Sequence, residues 1–184
     1  MAYLLVWSWQ EHKSASALRK IEPTKNITLI IDEIESHLHP KWQRTIIRSL
    51  LSVMEFIAPD VNVQIFTSTH SPLVMASIEP FFNPEIDAWF DLDLVNGEVK
   101  IEKRPWERLG DADAWLKSEA FDQKSGYALE TERAIGDADA AMANPELTRE
   151  QAKEIDERLH NLLGELDPFW IRWGYFFEDK GWRK

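Results

Sequence analysis

A chain of 184 residues can bury a hydrophobic core, and its length points to one domain with room for an appendage. The formal net charge of −11 sets the average surface against free duplex DNA, and no basic patch larger than a pair such as Lys103-Arg104 offsets it. The absence of cysteine excludes disulfides and cysteine-ligated zinc and agrees with a cytoplasmic location, and the apolar start, residues 1–9, is too short for a bilayer span and lacks the basic start and small-residue cleavage site of a signal peptide.

In chain order, residues 2–13 read as a helix that is apolar nearly all round and then polar. Such a helix is expected to be buried, which makes the chain read as starting inside a larger core. Residues 14–26 form a polar connector containing Pro23. Residues 27–31, Ile-Thr-Leu-Ile-Ile, have the two-faced apolar character of a buried parallel strand. They run directly into Asp32-Glu33. Pro40 suits a first helical position, and Ile46, Ile47, Leu50, Leu51 and Met54 make one amphipathic stripe. Residues 61–66 predict a second strand, so that strand, helix and strand form a right-handed parallel βαβ unit.

After the loop Ser68-Thr69-His70, Ser71-Pro72 opens a short helix. Asn96-Gly97 between the alternating runs 88–95 and 98–101 predicts a β-hairpin. From Asp111 onward the pattern is helical, over about 111–120, 126–143, 148–164 and 168–178. Thr148 is a candidate N-cap, and Ile155, Leu159, Leu162, Leu163 and Leu166 form an apolar stripe.

Parallel sheets bind ligands beyond the carboxyl ends of their strands, which is where Asp32 and Glu33 fall. Two adjacent acids there fit a divalent cation on the first and a general base in the second. Leu29-Ile30-Ile31-Asp32-Glu33 resembles a Walker B motif followed by the additional glutamate of ABC-class ATPases. The stretch 35–40, Glu-Ser-His-Leu-His-Pro, resembles the loop that follows it, and 67–72, Thr-Ser-Thr-His-Ser-Pro, resembles a switch-histidine loop. In this order, the three motifs are similar to the second half of the AAA/ABC-type ATPase core of recombination-repair and phage-defence ATPases. The resemblance covers about residues 1–103.

The resemblance implies an α/β fold, a partial P-loop NTPase core of the ABC type with parallel strands and a β-hairpin. It places that core at residues 1–105 and a helical carboxyl-terminal tail at 106–184. It implies ATP and Mg²⁺ as cofactors, Asp32 as the metal-side residue, Glu33 as the catalytic base, and His70 as a γ-phosphate sensor. Ser36 and His70 join Asp32 as nucleotide-binding residues. No G-x-x-x-x-G-K-[ST] occurs in the sequence, nor a Ser-Gly-Gly-type signature. The missing amino-terminal half is therefore expected in cis or in trans, with an ATP-dependent homodimer when complete and little activity in the isolated chain. Nucleic acid is expected only through the complete assembly, and no membrane association is expected.

Other readings of the same residues remain open. His37 and His39 could be a metal pair, or conformational residues of an interfacial loop. Asp91 and Asp93 could belong with Asp32 and Glu33 to a Mg²⁺-dependent nuclease, or form a solvent-facing polar row on an edge hairpin. The late aromatics Phe169, Trp170, Trp173, Tyr175, Phe176, Phe177 and Trp182 read as a packed tail or a partner-binding face. The chain as a whole could instead be a non-catalytic interaction module.

Overall fold

The computed structural model describes residues 2–182, which divide between Lys124 and Ser125 into two compact units. In the first unit, α1 (Ala2–Arg19) is followed by β1 (Asn26–Ile31), α2 (Pro40–Gln43), α3 (Ile46–Ile57), β2 (Asn62–Thr67) and α4 (Pro72–Ile78). A hairpin of β3 (Trp89–Val95) and β4 (Glu98–Arg104) and the short α5 (Ala112–Leu116) complete it. β1 and β2 pair in parallel, in register from Asn26↔Asn62 to Ile31↔Thr67, as a βαβ unit requires.

The core of this unit gathers Ile34, Leu50 and Val74, with Leu5, Ile31, Ile46, Ile47 and Ile65 packed against them. It lies on one face of the β1–β2 pair. Successive side chains of a strand point to opposite faces, so Ile27, Leu29 and Ile31 are half-buried while Thr28 and Ile30 alternate outward. Ile30 is 84% exposed, so the expected burial of both strand faces is not what these residues make. α1 departs from expectation in the same way. It runs on through residues 14–19, which the sequence reads as connector, and Tyr3, Leu4 and Trp7 are exposed. Its inward side is the narrow row of Leu5, Trp9, Lys13 and Ser16, spaced as a single helical stripe.

The helix predicted after Pro40 is interrupted at Arg44-Thr45, giving α2 and α3. Leu50 and Met54 are buried as the stripe requires, whereas Leu51 faces out. In the hairpin, Asn96 and Gly97 both have positive φ, 54° and 83°, the signature of a two-residue turn that matches strand twist. Both of its faces are largely open, with Asp93 exposed as expected. Phe90, Leu92, Leu94, Val99 and Ile101 are exposed, and Asp91 turns inward to pair with Arg104 at 3.1 Å.

The first unit runs on past the hairpin to Lys124. Glu79 holds the added stretch. Its buried carboxylate accepts from Leu109 N–H at 2.7 Å, from Gly110 N–H at 3.0 Å, and from the Trp115 indole at 2.7 Å. Trp115 is itself buried against Trp89 and Trp106.

The second unit packs α6 (Leu129–Met142), α7 (Arg149–Leu162) and α8 (Phe169–Asp179) around Ala134, Ala138, Leu159, Leu163, Phe169 and Trp173. Thr148 caps α7 in a reciprocal capping box with Gln151. Of the predicted stripe, Leu159 and Leu163 are buried and Leu166 is 97% exposed, because α7 ends at Leu162 and the helical period no longer applies. Trp170 and Trp173 donate their indole N–H groups to Gly164 O and Asp156 Oδ1. Among the described residues no helix is long and apolar enough to cross a membrane.

Candidate functional site

The parallel register decides the geometry of the site. Ile31 lies opposite Thr67, so the next residues, Asp32 and Ser68, leave the sheet side by side. The ladder continues beyond the strands: Ser68 N–H donates to Ile31 O and Ile34 N–H to Ser68 O, each at 3.2 Å. The Ser68 hydroxyl donates to Asp32 Oδ1 at 2.5 Å and accepts from Glu33 N–H at 2.8 Å. One serine thus fixes both the side chain of Asp32 and the backbone of Glu33.

Glu33 has φ of 44°, a left-handed conformation that is uncommon for a residue with a side chain. Ile34, directly after it, is 3% exposed and belongs to the core. Burying Ile34 turns the chain sharply enough that both Asp32 and Glu33 keep their carboxylates exposed at the sheet end. Strain of this kind is characteristic of functional loops.

The loop from Glu33 to Pro40 is closed by its own backbone, with Ser36 N–H to Glu33 O at 2.7 Å and Leu38 N–H to Glu35 O at 2.9 Å. Ser36 and His37 are exposed, and His37 has φ of 61°. His39 caps α2 by accepting at Nδ1 from Lys41 N–H, so one ring nitrogen of the predicted pair already has a structural partner.

His70 follows two residues after Ser68 and is exposed at the same end of the sheet as Asp32 and Glu33. Its N–H donates to Glu35 Oε1 at 2.5 Å, and the preceding Thr69 hydroxyl donates to Glu35 Oε2 at 2.6 Å. Ser71 caps α4 and donates to Gln43 Oε1 at 2.7 Å, tying this loop to α2.

Residues 5–76 match the family model described as "AAA domain, putative AbiEii toxin, Type IV TA system". This span contains β1, β2 and the two loops joined at their ends. Two curated proteins are similar over shorter segments. The Retron Vc95 probable ATPase of Vibrio cholerae serotype O1 biovar El Tor is 46% identical over 50 residues, covering 27% of this chain and 9% of that protein. The Retron Ec83 probable ATPase of Escherichia coli is 41% identical over 51 residues, covering 28% and 8%. The similarity therefore concerns a small part of each relative's length.

The donor set fits Mg²⁺ with a nucleotide. That ion is usually held by one or two carboxylates, with phosphate oxygens and water completing its shell, and Asp32 supplies one exposed carboxylate here. Among the described residues there is no group of three or more His, Asp or Glu side chains that could hold a metal by themselves. Asp91 is committed to its ion pair with Arg104, and Asp93 Oδ1 accepts from Leu94 N–H. Asp91, Arg104 and His70 line a polar cleft with Asp93 and Glu119.

Sequence reasoning singled out Asp32, Glu33, Ser36 and His70 but missed Ser68 and Glu35. Their signal is positional: Ser68 is in register with Asp32, and Glu35 stands two residues beyond Glu33 in the same acidic run.

Proposed function

We propose that residues 5–76 carry the metal-side, base and switch elements of an ATP-hydrolysing site of the AAA/ABC type. Supporting this is one arrangement: Asp32, Glu33 and the Ser68–His70 loop share one end of a parallel strand pair and are hydrogen-bonded to each other. Asp32 would hold Mg²⁺, which would supply charge neutralisation to the nucleotide phosphates. Glu33 takes the proton of the attacking water. His70 donates to a γ-phosphate oxygen, and Ser36 contributes to nucleotide binding.

In this reading the Gly-rich loop that cradles phosphates is assigned to another segment, in cis or in trans. The completed protein dimerises on ATP. Both relatives are named as retron probable ATPases, and we assign this site to an ATPase of that kind.

The test adds an amino-terminal half containing the phosphate loop and follows hydrolysis. The isolated chain should bind ATP more weakly than about 1 mM, a free energy of only about −4 kcal/mol. With the added half, Glu33→Gln should retain ATP and accumulate the dimer without turnover, since the amide cannot accept the proton. Single-turnover hydrolysis near the wild-type rate in that variant would remove Glu33 from the role of base. Micromolar ATP affinity in the isolated chain would point to a different phosphate site.

A further inference from the structure

We propose that Glu35 is the positioning residue for His70, a latch between the loop after β1 and the loop after β2. The inference rests on the reading of this site as an ATPase.

Both Glu35 carboxylate oxygens are engaged by two consecutive residues of the other loop: Oε1 accepts from His70 N–H at 2.5 Å and Oε2 from the Thr69 hydroxyl at 2.6 Å. Two bonds to adjacent groups fix the orientation of the Thr69–His70 peptide as well as its position. That orientation sets the direction in which the imidazole leaves the backbone. Hydrogen bonds to a carboxylate are about twice as strong as those between neutral groups.

The latch is anchored at both ends. Glu35 follows the buried Ile34, which cannot shift without opening the core. Thr69 Oγ1 also accepts from Ser71 N–H at 3.1 Å, and Ser71 donates to Gln43, whose Nε2 donates to Leu38 O at 3.0 Å. The ring closes on the loop in which it began. No donor or acceptor among the described residues is bonded to the His70 imidazole itself, so the ring depends on its backbone for placement. In the proposed site Glu33 activates the attacking water and His70 contacts the γ-phosphate, and Glu35 lies between their two loops. Movement of one loop is thereby transmitted to the other.

Glu35→Ala removes both bonds. Glu35→Gln keeps an acceptor for His70 N–H, and Thr69→Val removes the second bond without touching Glu35. In the isolated chain, ¹⁵N-edited NMR reads the latch without nucleotide. The His70 amide proton should move upfield and exchange faster in Glu35→Ala, with Glu35→Gln and Thr69→Val intermediate. An unmoved His70 amide in Glu35→Ala overturns the latch, as does one that moves no more there than in Thr69→Val.

In the completed enzyme, Glu35→Ala should lower kcat about 10²-fold, as misplacement by about 1 Å does, with ATP affinity unchanged. Glu35→Gln should recover most of that rate. Glu35→Ala combined with His70→Ala should add little to the loss from His70→Ala alone, because the two act through one contact. Additive losses, or a fall in ATP affinity equal to the fall in kcat, overturn the positioning role. A His70 amide that shifts as expected, in a completed protein that does not hydrolyse ATP, overturns the ATPase reading while the contact stands; hydrolysis that ignores both residues overturns their roles in it.

Discussion

Ser68 donates its hydroxyl to Asp32 Oδ1 at 2.5 Å and with the same oxygen accepts the N–H of Glu33 at 2.8 Å. The two strands are thus tied by a side chain at the point where their backbone ladder ends. Ser68→Ala should remove this tie and leave the backbone bonds on either side intact. Hydrogen exchange separates the two. The Glu33 amide should lose protection, whereas the Ile34 amide, held by the Ser68 carbonyl, should not. The stability cost should be about 1 kcal/mol, the worth of an ordinary hydrogen bond at an exposed position. Equal loss of protection at both amides would mean that the serine only supports the strand ends in general.

The left-handed Glu33 gives a second test. A glycine in an ordinary loop position costs stability through its freedom in the unfolded chain, by roughly 0.5–1 kcal/mol relative to alanine. At φ of 44° the comparison should reverse, because the left-handed conformation costs a residue with a Cβ about 1–2 kcal/mol and glycine escapes that cost. Glu33→Gly should therefore have a higher urea midpoint than Glu33→Ala, although neither has the carboxylate. The opposite order would show that the loop relaxes to normal φ when the acid is gone.

Glu79 makes the first unit sensitive to acid. Burial pulls its pKa upward, but the N–H donors of Gly110 and Leu109, the Trp115 indole and the charge of Arg108 outweigh this and hold it below the ordinary glutamate range. The folded pKa is below the unfolded one, so the stabilisation is fully present above the unfolded value, about 4.3. It is lost as pH falls through the folded value. Glu79→Gln cannot titrate. Its stability deficit relative to the wild type should be largest above about pH 5 and should shrink steadily below about pH 4. A deficit that stays constant from pH 6 to pH 3, on a scale where free glutamate titrates near about 4.3, would show that charge is irrelevant at this position.

Local patterns made the βαβ unit, the Asn96-Gly97 hairpin and the Thr148 cap legible, because each depends on residues close in sequence. Asp32, Glu33 and His70 were legible as a group because a parallel pair delivers both strand ends to one side. Burial was less legible. Ile30 and the α1 residues Tyr3, Leu4 and Trp7 are apolar yet exposed, and apolar character alone does not say which face a core will occupy. Glu35, Glu79 and Ser68 were missed because their partners are 30–36 positions away, a distance at which no periodicity operates.

The second unit allows a paired comparison between two leucines of the stripe read from the sequence. Leu159 is fully buried among Ala134, Ala138, Phe169 and Trp173, whereas Leu166 lies beyond the end of α7 at 97% exposure. Truncating a buried leucine loses its transfer free energy and leaves a cavity, together about 2–5 kcal/mol. Here the upper half of that range is expected. The residues around Leu159 are either small alanines on a neighbouring helix or aromatic rings fixed by indole hydrogen bonds, such as Trp173 to Asp156 at 2.9 Å, and neither kind collapses easily into a void. Leu166→Ala removes no packed surface and should stay within about 0.5 kcal/mol of the wild type. Because the two compact units need not unfold together, a global melting point can hide the loss. Tryptophan fluorescence is also mixed, since the sequence has 9 tryptophans. Hydrogen exchange of amides in α6 and α7 is the better measurement. Leu159→Ala should raise their exchange rates by about 10³-fold, the factor that about 4 kcal/mol of lost stability implies. Leu166→Ala should leave those rates unchanged. Comparable acceleration in both variants would mean that α7 continues past Leu162 in solution and carries Leu166 into the core.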